Sequence, residues 1–203
     1  MQDKKHWYDG FFYDRFIAPN QDKIYSSINK IVQKDSNVLD FGCGTGRLTL
    51  QLAEKCKSVA AVDLSIKNIN YARSKLKNNS IKNISFMHGD TSVLKNGKFT
   101  KFDHIIISYV IHEMPESKRI ETLKELKSIA KQLILSDYIS PIPHNGYGFL
   151  TYAVEYIAGS DHFKNFKNYI QNGGIEYLAE EADLKIVMQV KNKKNSNHLA
   201  VLE

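Results

Sequence analysis

The chain has 203 residues, of which 42% are hydrophobic and 25% charged, with a formal net charge of +6. That length suits one domain able to bury a sizeable core without disulfides or metals. Its two cysteines, Cys43 and Cys56, lack the paired spacing of a zinc site or a disulfide framework, so no metal and a reducing, cytoplasmic setting are expected. No apolar run approaches the ~20 residues needed to span a bilayer, and the start "MQDKKHWYDG" lacks the apolar stretch of a signal peptide.

In chain order, Ile24, Ile28 and Ile31 mark an amphipathic helix ahead of a first strand at 37–41, "NVLDF". Leu48, Leu52 and Cys56 mark the next helix face, followed by a strand at 58–63. Ser65 is placed to cap a helix carrying Ile69, Ala72 and Leu76. Strands at 83–88 and 103–109 come next, then a helix with Pro115 in its first turn and Ile120, Leu123, Leu126 and Ala130 on one face. A fifth strand is expected at 132–137. The last two, 184–190 and 197–202, are separated only by the polar turn "KNKKNSN" and read as an antiparallel hairpin. The alternation predicts an α/β fold: a Rossmann-like, seven-stranded, mostly parallel sheet with a C-terminal antiparallel hairpin and helices on both faces.

Two segments stand outside this alternation. Of the 22 aromatic residues, seven lie in 7–25 and nine in 138–177. The expected organisation is therefore a single domain over 1–203, with an N-terminal aromatic segment at 1–25 and a substrate lid inserted at 138–172. Both segments could fold over the carboxyl edge of the sheet, where ligands of such folds bind. The positive charge is mostly lysine scattered with asparagine, which reads as a solvated surface; a nucleic-acid footprint is more often clustered and arginine-bearing.

The chemistry concentrates in "NVLDFGCGTGRLTL". Gly42, Gly44 and Gly46 follow a strand and precede a helix, the context of a nucleotide-binding turn. Asp40 immediately before them would repel a pyrophosphate but suits a ligand carrying an ammonium and a sulfonium. Asp63 ends the second strand, from which a carboxylate can accept ribose hydroxyls, or cap the next helix. Asp90 follows the third strand and could accept from an exocyclic amine, or belong only to a turn with Gly89. Together, three acids at successive strand ends beside a glycine turn describe a site for a nucleoside with a cationic amino-acid tail.

From about residue 20 onward, "VLDFGCGTG", "AVDLS", "GDTSVL", "FDHIIISYVIHEMPE" and "LILSDYISP" resemble a class I S-adenosylmethionine-dependent methyltransferase, in the branch similar to ubiquinone and menaquinone biosynthesis methyltransferases. The resemblance implies S-adenosylmethionine as cofactor, with Asp40, Gly42, Gly44 and Gly46 at its methionine portion, Asp63 and Leu64 at the ribose, and Asp90 and Thr91 at the adenine. Ser108 and Tyr109 flank it after the fourth strand. Similar proteins usually carry "LKPGG" before the fifth strand, where this chain has "LKSIAKQLIL". His112 is the candidate catalytic base, and Tyr138, His144, Tyr147 and Tyr152 are candidates for substrate contact. A small-molecule acceptor is expected. The chain lacks the Asn/Asp-Pro-Pro-aromatic motif of base-amino methyltransferases after the fourth strand, having "SYVI" there, and has no cysteine in that region. An RNA methyltransferase and a non-catalytic S-adenosylmethionine-binding module are the alternatives.

Overall fold

The computed structural model describes residues 21–77, 80–95 and 101–203. Most of the aromatic segment expected at 1–25 therefore lies outside the described residues. The strands are β1 (Asn37–Phe41), β2 (Ser58–Asp63), β3 (Ile84–His88), β4 (Phe102–Ser108), β5 (Ala130–Tyr138), β6 (Ile186–Asn192) and β7 (Asn197–Leu202). The helices are α1 (Asp22–Ile31), α2 (Arg47–Ala53), α3 (Ile66–Leu76), α4 (Ser92–Lys95), α5 (Glu116–Ser128), α6 (Gly146–Ile157), α7 (Ser160–Gln171) and α8 (Gly174–Glu181), with a 3-10 turn at Ile111–Glu113. The seven strands form one sheet in the order β3-β2-β1-β4-β5-β7-β6. This is the expected mostly parallel sheet ending in an antiparallel hairpin.

Several boundaries differ by one or two residues from the sequence reading, β3, β4, β5 and β6 among them, and Cys56 lies beyond the end of α2 at Ala53; two of the shifts have a clear local cause. Ala130 opens β5 instead of closing the helix face before it. The cause is local: Ser128 Oγ donates to the Glu125 carbonyl at 2.6 Å, and the Ile129 carbonyl accepts the Phe102 N–H at 2.8 Å, which draws the chain into the sheet one residue after the helix ends. The missing glycines of "LKPGG" are thus replaced by a near-direct helix-to-strand passage. Likewise, Leu184 closes α8, its N–H reaching the Ala179 carbonyl at 2.8 Å, so β6 starts at Ile186.

The chain divides into two compact units, one running to Ile106 and including Ile129–Lys131, the other comprising Ile107–Ser128 and Gln132–Glu203. In the first, β1 and β2 pair in parallel with Asp40 beside Ala61, and β2 pairs with β3 with Asp63 beside His88. Their apolar alternation buries Cys43, Ala61, Ile69, Ala72 and Phe86 as one cluster. Ser65 caps α3 as expected, accepting the Asn68 N–H at 3.3 Å. α1 is fixed by a two-pronged ion pair, Arg47 Nε and Nη2 each 2.7 Å from the Asp22 carboxylate.

In the second unit β7 pairs antiparallel with both β5 and β6. Asn145 caps α6 by accepting the Gly148 N–H at 2.8 Å. Arg119 is 1% exposed and reaches the carbonyls of Ile111, Met114 and Asn165 and the Asn168 side chain at 2.6–3.2 Å, binding α5 to α7 and the 3-10 turn. Among the described residues no helix is long and apolar enough to cross a membrane.

Candidate functional site

In the first unit the glycine turn is built by backbone that only glycine adopts easily. Gly42, Gly44 and Gly46 have φ of 78°, 53° and 74°. The N–H groups of Gly42 and Cys43 both reach the Val62 carbonyl, at 2.7 and 3.0 Å, folding the turn over the end of β2. Gly46 also has no room for a side chain: a Cβ there would stand 2.8 Å from Phe86 Cζ and 3.1 Å from the Ala72 methyl.

Asp63 is the pivot of the turn. Its Oδ2 accepts the Gly44 N–H at 2.8 Å and its Oδ1 the Ser65 N–H at 2.8 Å, so one carboxylate ties the glycine turn to the start of α3. Of the two roles read from the sequence, the helix-entry contact is present, and the same contacts fix the carboxylate at the strand end. Leu64 follows, its carbonyl 3.0 Å from His88 Nε2, and the Gly89 N–H donates to the Asp63 carbonyl at 2.9 Å. These bonds bring the end of β3 alongside Asp63. Asp90 then accepts the Ser92 N–H at 2.9 Å, and the bonds from Ser92 hold its carboxyl below the usual range. Thr91 lies beside it, half-buried.

Asp40 differs from its neighbours in being 2% exposed. Burial pushes its carboxyl up to about 6, against a 2.6 Å hydrogen bond from Thr49 Oγ1 and with the charge of Asp63 adding to the rise. It lies beneath the turn as a buried acid instead of facing outward. Cys43 is buried too, and burial followed by the charges of Asp63 and Asp40 pushes its thiol well above the usual range. Two neighbouring strand ends, each carrying an acid, with a buried thiol and left-handed glycines beside them favour a cationic ligand that needs close backbone approach.

Ser108 and Tyr109 belong to the second unit. Ser108 Oγ is buried with no hydrogen-bond partner among the described residues. Tyr109 has φ of 55°, unusual outside glycine, and its N–H reaches the Ser136 carbonyl at 2.8 Å. Burial raises its phenol, with the charge of Asp137 adding to the rise.

His112 does not stand alone. Its Nδ1 lies 2.6 Å from Asp137 Oδ1 and its Nε2 3.5 Å from Glu155 Oε2, both partners being almost fully buried. Burial opposes the charged imidazole, but the carboxylates of Asp137 and Glu155 outweigh it and raise His112 well above the usual histidine range. Both ring nitrogens therefore face carboxylates, and a general base needs one nitrogen open to the proton it takes. Glu155 also accepts from Tyr138 Oη at 2.7 Å and contacts His162 Nε2 at 2.5 Å.

The four residues considered for substrate contact separate. Tyr138 is half-buried in this polar cluster, while His144 is exposed. Tyr147 is 54% exposed and, with Asn145, Gly146, Leu150 and Lys194, lines an open groove of about 440 Å³. Tyr152 packs edge-on against Phe166 with ring centroids 5.4 Å apart. Sequence reasoning missed Asp137 and Glu155 as site candidates. Their signal was present: each is a lone acid in an apolar run, "LILSDY" and "TYAVEYI", and a buried acid needs a partner.

The family described as "Methyltransferase domain" matches residues 38–132. An uncharacterized RNA methyltransferase of Mycoplasma mobile is 33% identical over 142 residues, covering 69% of this chain and 38% of that protein. A demethylmenaquinone methyltransferase of Listeria welshimeri is 29% identical over 103 residues, covering 49% and 42%. The chain thus spans about two fifths of the length of these curated relatives. Among solved structures, the N-methyltransferase NodS of Bradyrhizobium japonicum in complex with S-adenosyl-L-homocysteine superposes with a TM-score of 0.65 at 16% identity, covering 94% of this chain and 90% of that one; this likeness concerns the fold. Residues 38–132, just under half of the chain, match that methyltransferase family, and the relatives support a class I S-adenosylmethionine-dependent methyltransferase. The cofactor of that class is S-adenosylmethionine, and the acids and left-handed glycines of the first unit fit its charge.

Proposed function

We propose that the chain transfers a methyl group from S-adenosylmethionine to a small-molecule acceptor by in-line displacement. The observation that carries this reading is the glycine turn closed on Asp63, with Gly42, Gly44 and Gly46 in left-handed backbone and the carboxylate bonded to the Gly44 and Ser65 N–H groups. The cofactor supplies a methyl group already made electrophilic by its sulfonium. Asp40 and Asp63 supply the negative charge that a cationic amino-acid tail requires. Asp63 and Leu64 face the ribose, and Asp90 and Thr91 the adenine. Residues 138–172 serve the acceptor side, where Tyr138, His144, Tyr147 and Tyr152 exclude water and align the nucleophile; such alignment alone accounts for roughly 7–11 kcal/mol of barrier. His112, with both nitrogens facing carboxylates, positions Asp137 and Glu155, and the transfer proceeds without a proton taken by it.

RNA as acceptor is the second reading, favoured by the names of relatives such as the RNA methyltransferase of Mycoplasma mobile and a tRNA/tmRNA (uracil-C(5))-methyltransferase of Campylobacter lari, 29% identical over 148 residues. Against a base-carbon acceptor activated by a cysteine nucleophile, both cysteines are buried with thiols raised mainly by burial, so neither is poised to attack a base. The deciding experiment offers methyl-labelled S-adenosylmethionine to a metabolite extract and, separately, to total RNA. Label is expected in the small-molecule fraction. Label in RNA alone would replace the proposed acceptor, and binding of cofactor without label in either would indicate a non-catalytic module.

A further inference from the structure

We propose that His112, Glu113 and His162, joined by Glu155, form a site for a divalent transition-metal ion within the second unit. One ligand atom from each of His112, Glu113 and His162 lies within 4.8 Å of the others. An ion with bonds of about 2.0–2.2 Å to nitrogen and oxygen draws together such a set with small movements. Glu155 Oε2 stands 3.5 Å from His112 Nε2 and 2.5 Å from His162 Nε2. Tetrahedral bonds of about 2.1 Å set neighbouring ligand atoms about 3.4 Å apart, so the first spacing already suits an ion and the second opens to admit one.

The surroundings are those of a built site. His112 turns its other nitrogen to Asp137 Oδ1 at 2.6 Å, the carboxylate–histidine arrangement that orients metal-bound imidazoles. Asp137 is itself held by the N–H groups of His112 at 3.3 Å and Tyr138 at 2.7 Å. The second oxygen of Glu155 accepts from Tyr138 Oη at 2.7 Å. Arg119 and Asn165 brace the turn, Arg119 Nη2 donating to the Asn165 carbonyl at 2.6 Å and Asn165 Nδ2 to the Glu113 carbonyl at 2.9 Å. His112, Glu155 and His162 are 2%, 4% and 8% exposed, and half-buried Glu113 leaves a way in.

Two imidazoles converge on one carboxylate oxygen, an arrangement that leaves a proton to be shared; an ion replaces those protons, which pass to solvent as the imidazoles bind in neutral form. Two neutral imidazoles and two carboxylates offset a charge of two. Mixed nitrogen and oxygen donors select zinc, iron(II) or their neighbours over magnesium or calcium, which prefer all-oxygen shells. The cysteine spacing gave no hint of a metal because the ligands come from histidines and acids up to 50 residues apart. The ion would join the 3-10 turn to α6 and α7, and the proposal stands whether or not methyl transfer is the reaction.

The test uses the full chain stripped with a chelator and titrated with Co²⁺, read by visible d–d absorption, with Zn²⁺ as competitor. One equivalent of Co²⁺ should bind with absorption far more intense than that of the aqueous ion, and Zn²⁺ should bleach it. Asp137→Asn should weaken binding about 10- to 100-fold, the range for a partner of a metal-bound histidine. Glu113→Gln, which leaves the buried imidazoles in place, should weaken it as well, with far-UV circular dichroism confirming the fold. A wild-type titration that keeps the aqueous Co²⁺ spectrum overturns the proposal, as does unchanged affinity in folded Glu113→Gln.

Discussion

Replacing Asp40 by Asn separates what the buried acid costs from what it does. Asp40 is 2% exposed, and burial lifts its carboxyl from 3.8 to about 6. A rise of roughly two units corresponds to about 3 kcal/mol against the ionised form in the folded state. Because the folded value lies above the unfolded one, the chain is most favoured while both states are protonated, below about pH 3.8. Stability then falls as the pH rises toward 6 and stays lower above it. Asn cannot ionise and its oxygen can still accept from Thr49 Oγ1, so Asp40→Asn should be more stable than wild type at pH 8, by up to about 3 kcal/mol without cofactor. The gain should vanish near pH 4. Urea unfolding of both proteins at pH 4, 6 and 8 measures this directly. The same variant should bind S-adenosylmethionine at least about tenfold more weakly, a loss of about 1.4 kcal/mol. If Asp40→Asn is destabilised equally at all three pH values, the carboxyl is not a strained ion and the electrostatic reasoning fails.

Gly46→Ala combines a left-handed backbone with a Cβ 2.8 Å from Phe86 Cζ, so a loss of about 2–4 kcal/mol is expected in urea unfolding; a loss below about 0.5 kcal/mol would show that the turn can relax. Glu155→Gln breaks a buried network, and about 3–5 kcal/mol should be lost at neutral pH. Burial would raise the Glu155 carboxyl, but the charge of His112 and the bonds to His112 and His162 hold it below the usual range, so its stabilisation is present above about pH 4.5 and fades as the pH falls. The deficit of Glu155→Gln should therefore shrink in acid, and a deficit that grows there contradicts the assignment.

The fold was largely legible because parallel strands buried on both faces are short apolar runs, and "NVLDF", "SVAAVD" and "NHLAVL" have the observed boundaries. Among the boundaries that moved, those at Ala130 and Leu184 depend on single backbone hydrogen bonds that no periodicity carries. The glycine turn and Asp63 were legible for the same reason as the strands: their contacts are local to a strand–turn–helix passage. Asp40 was legible as an acid but not as a buried one, since its partner Thr49 sits a turn into the next helix. The cluster around His112 was the least legible. It draws Asp137, Glu155 and His162 from β5, α6 and α7, and only packing of those elements brings them to one place.

Equilibrium dialysis with labelled cofactor measures whether the glycine turn and Asp63 bind S-adenosylmethionine. Saturable binding at one site per chain is expected, lost in Asp63→Ala together with the cofactor-induced rise in melting temperature. No binding of S-adenosylmethionine to the wild type, with a nicotinamide dinucleotide binding in its place, would contradict this binding role.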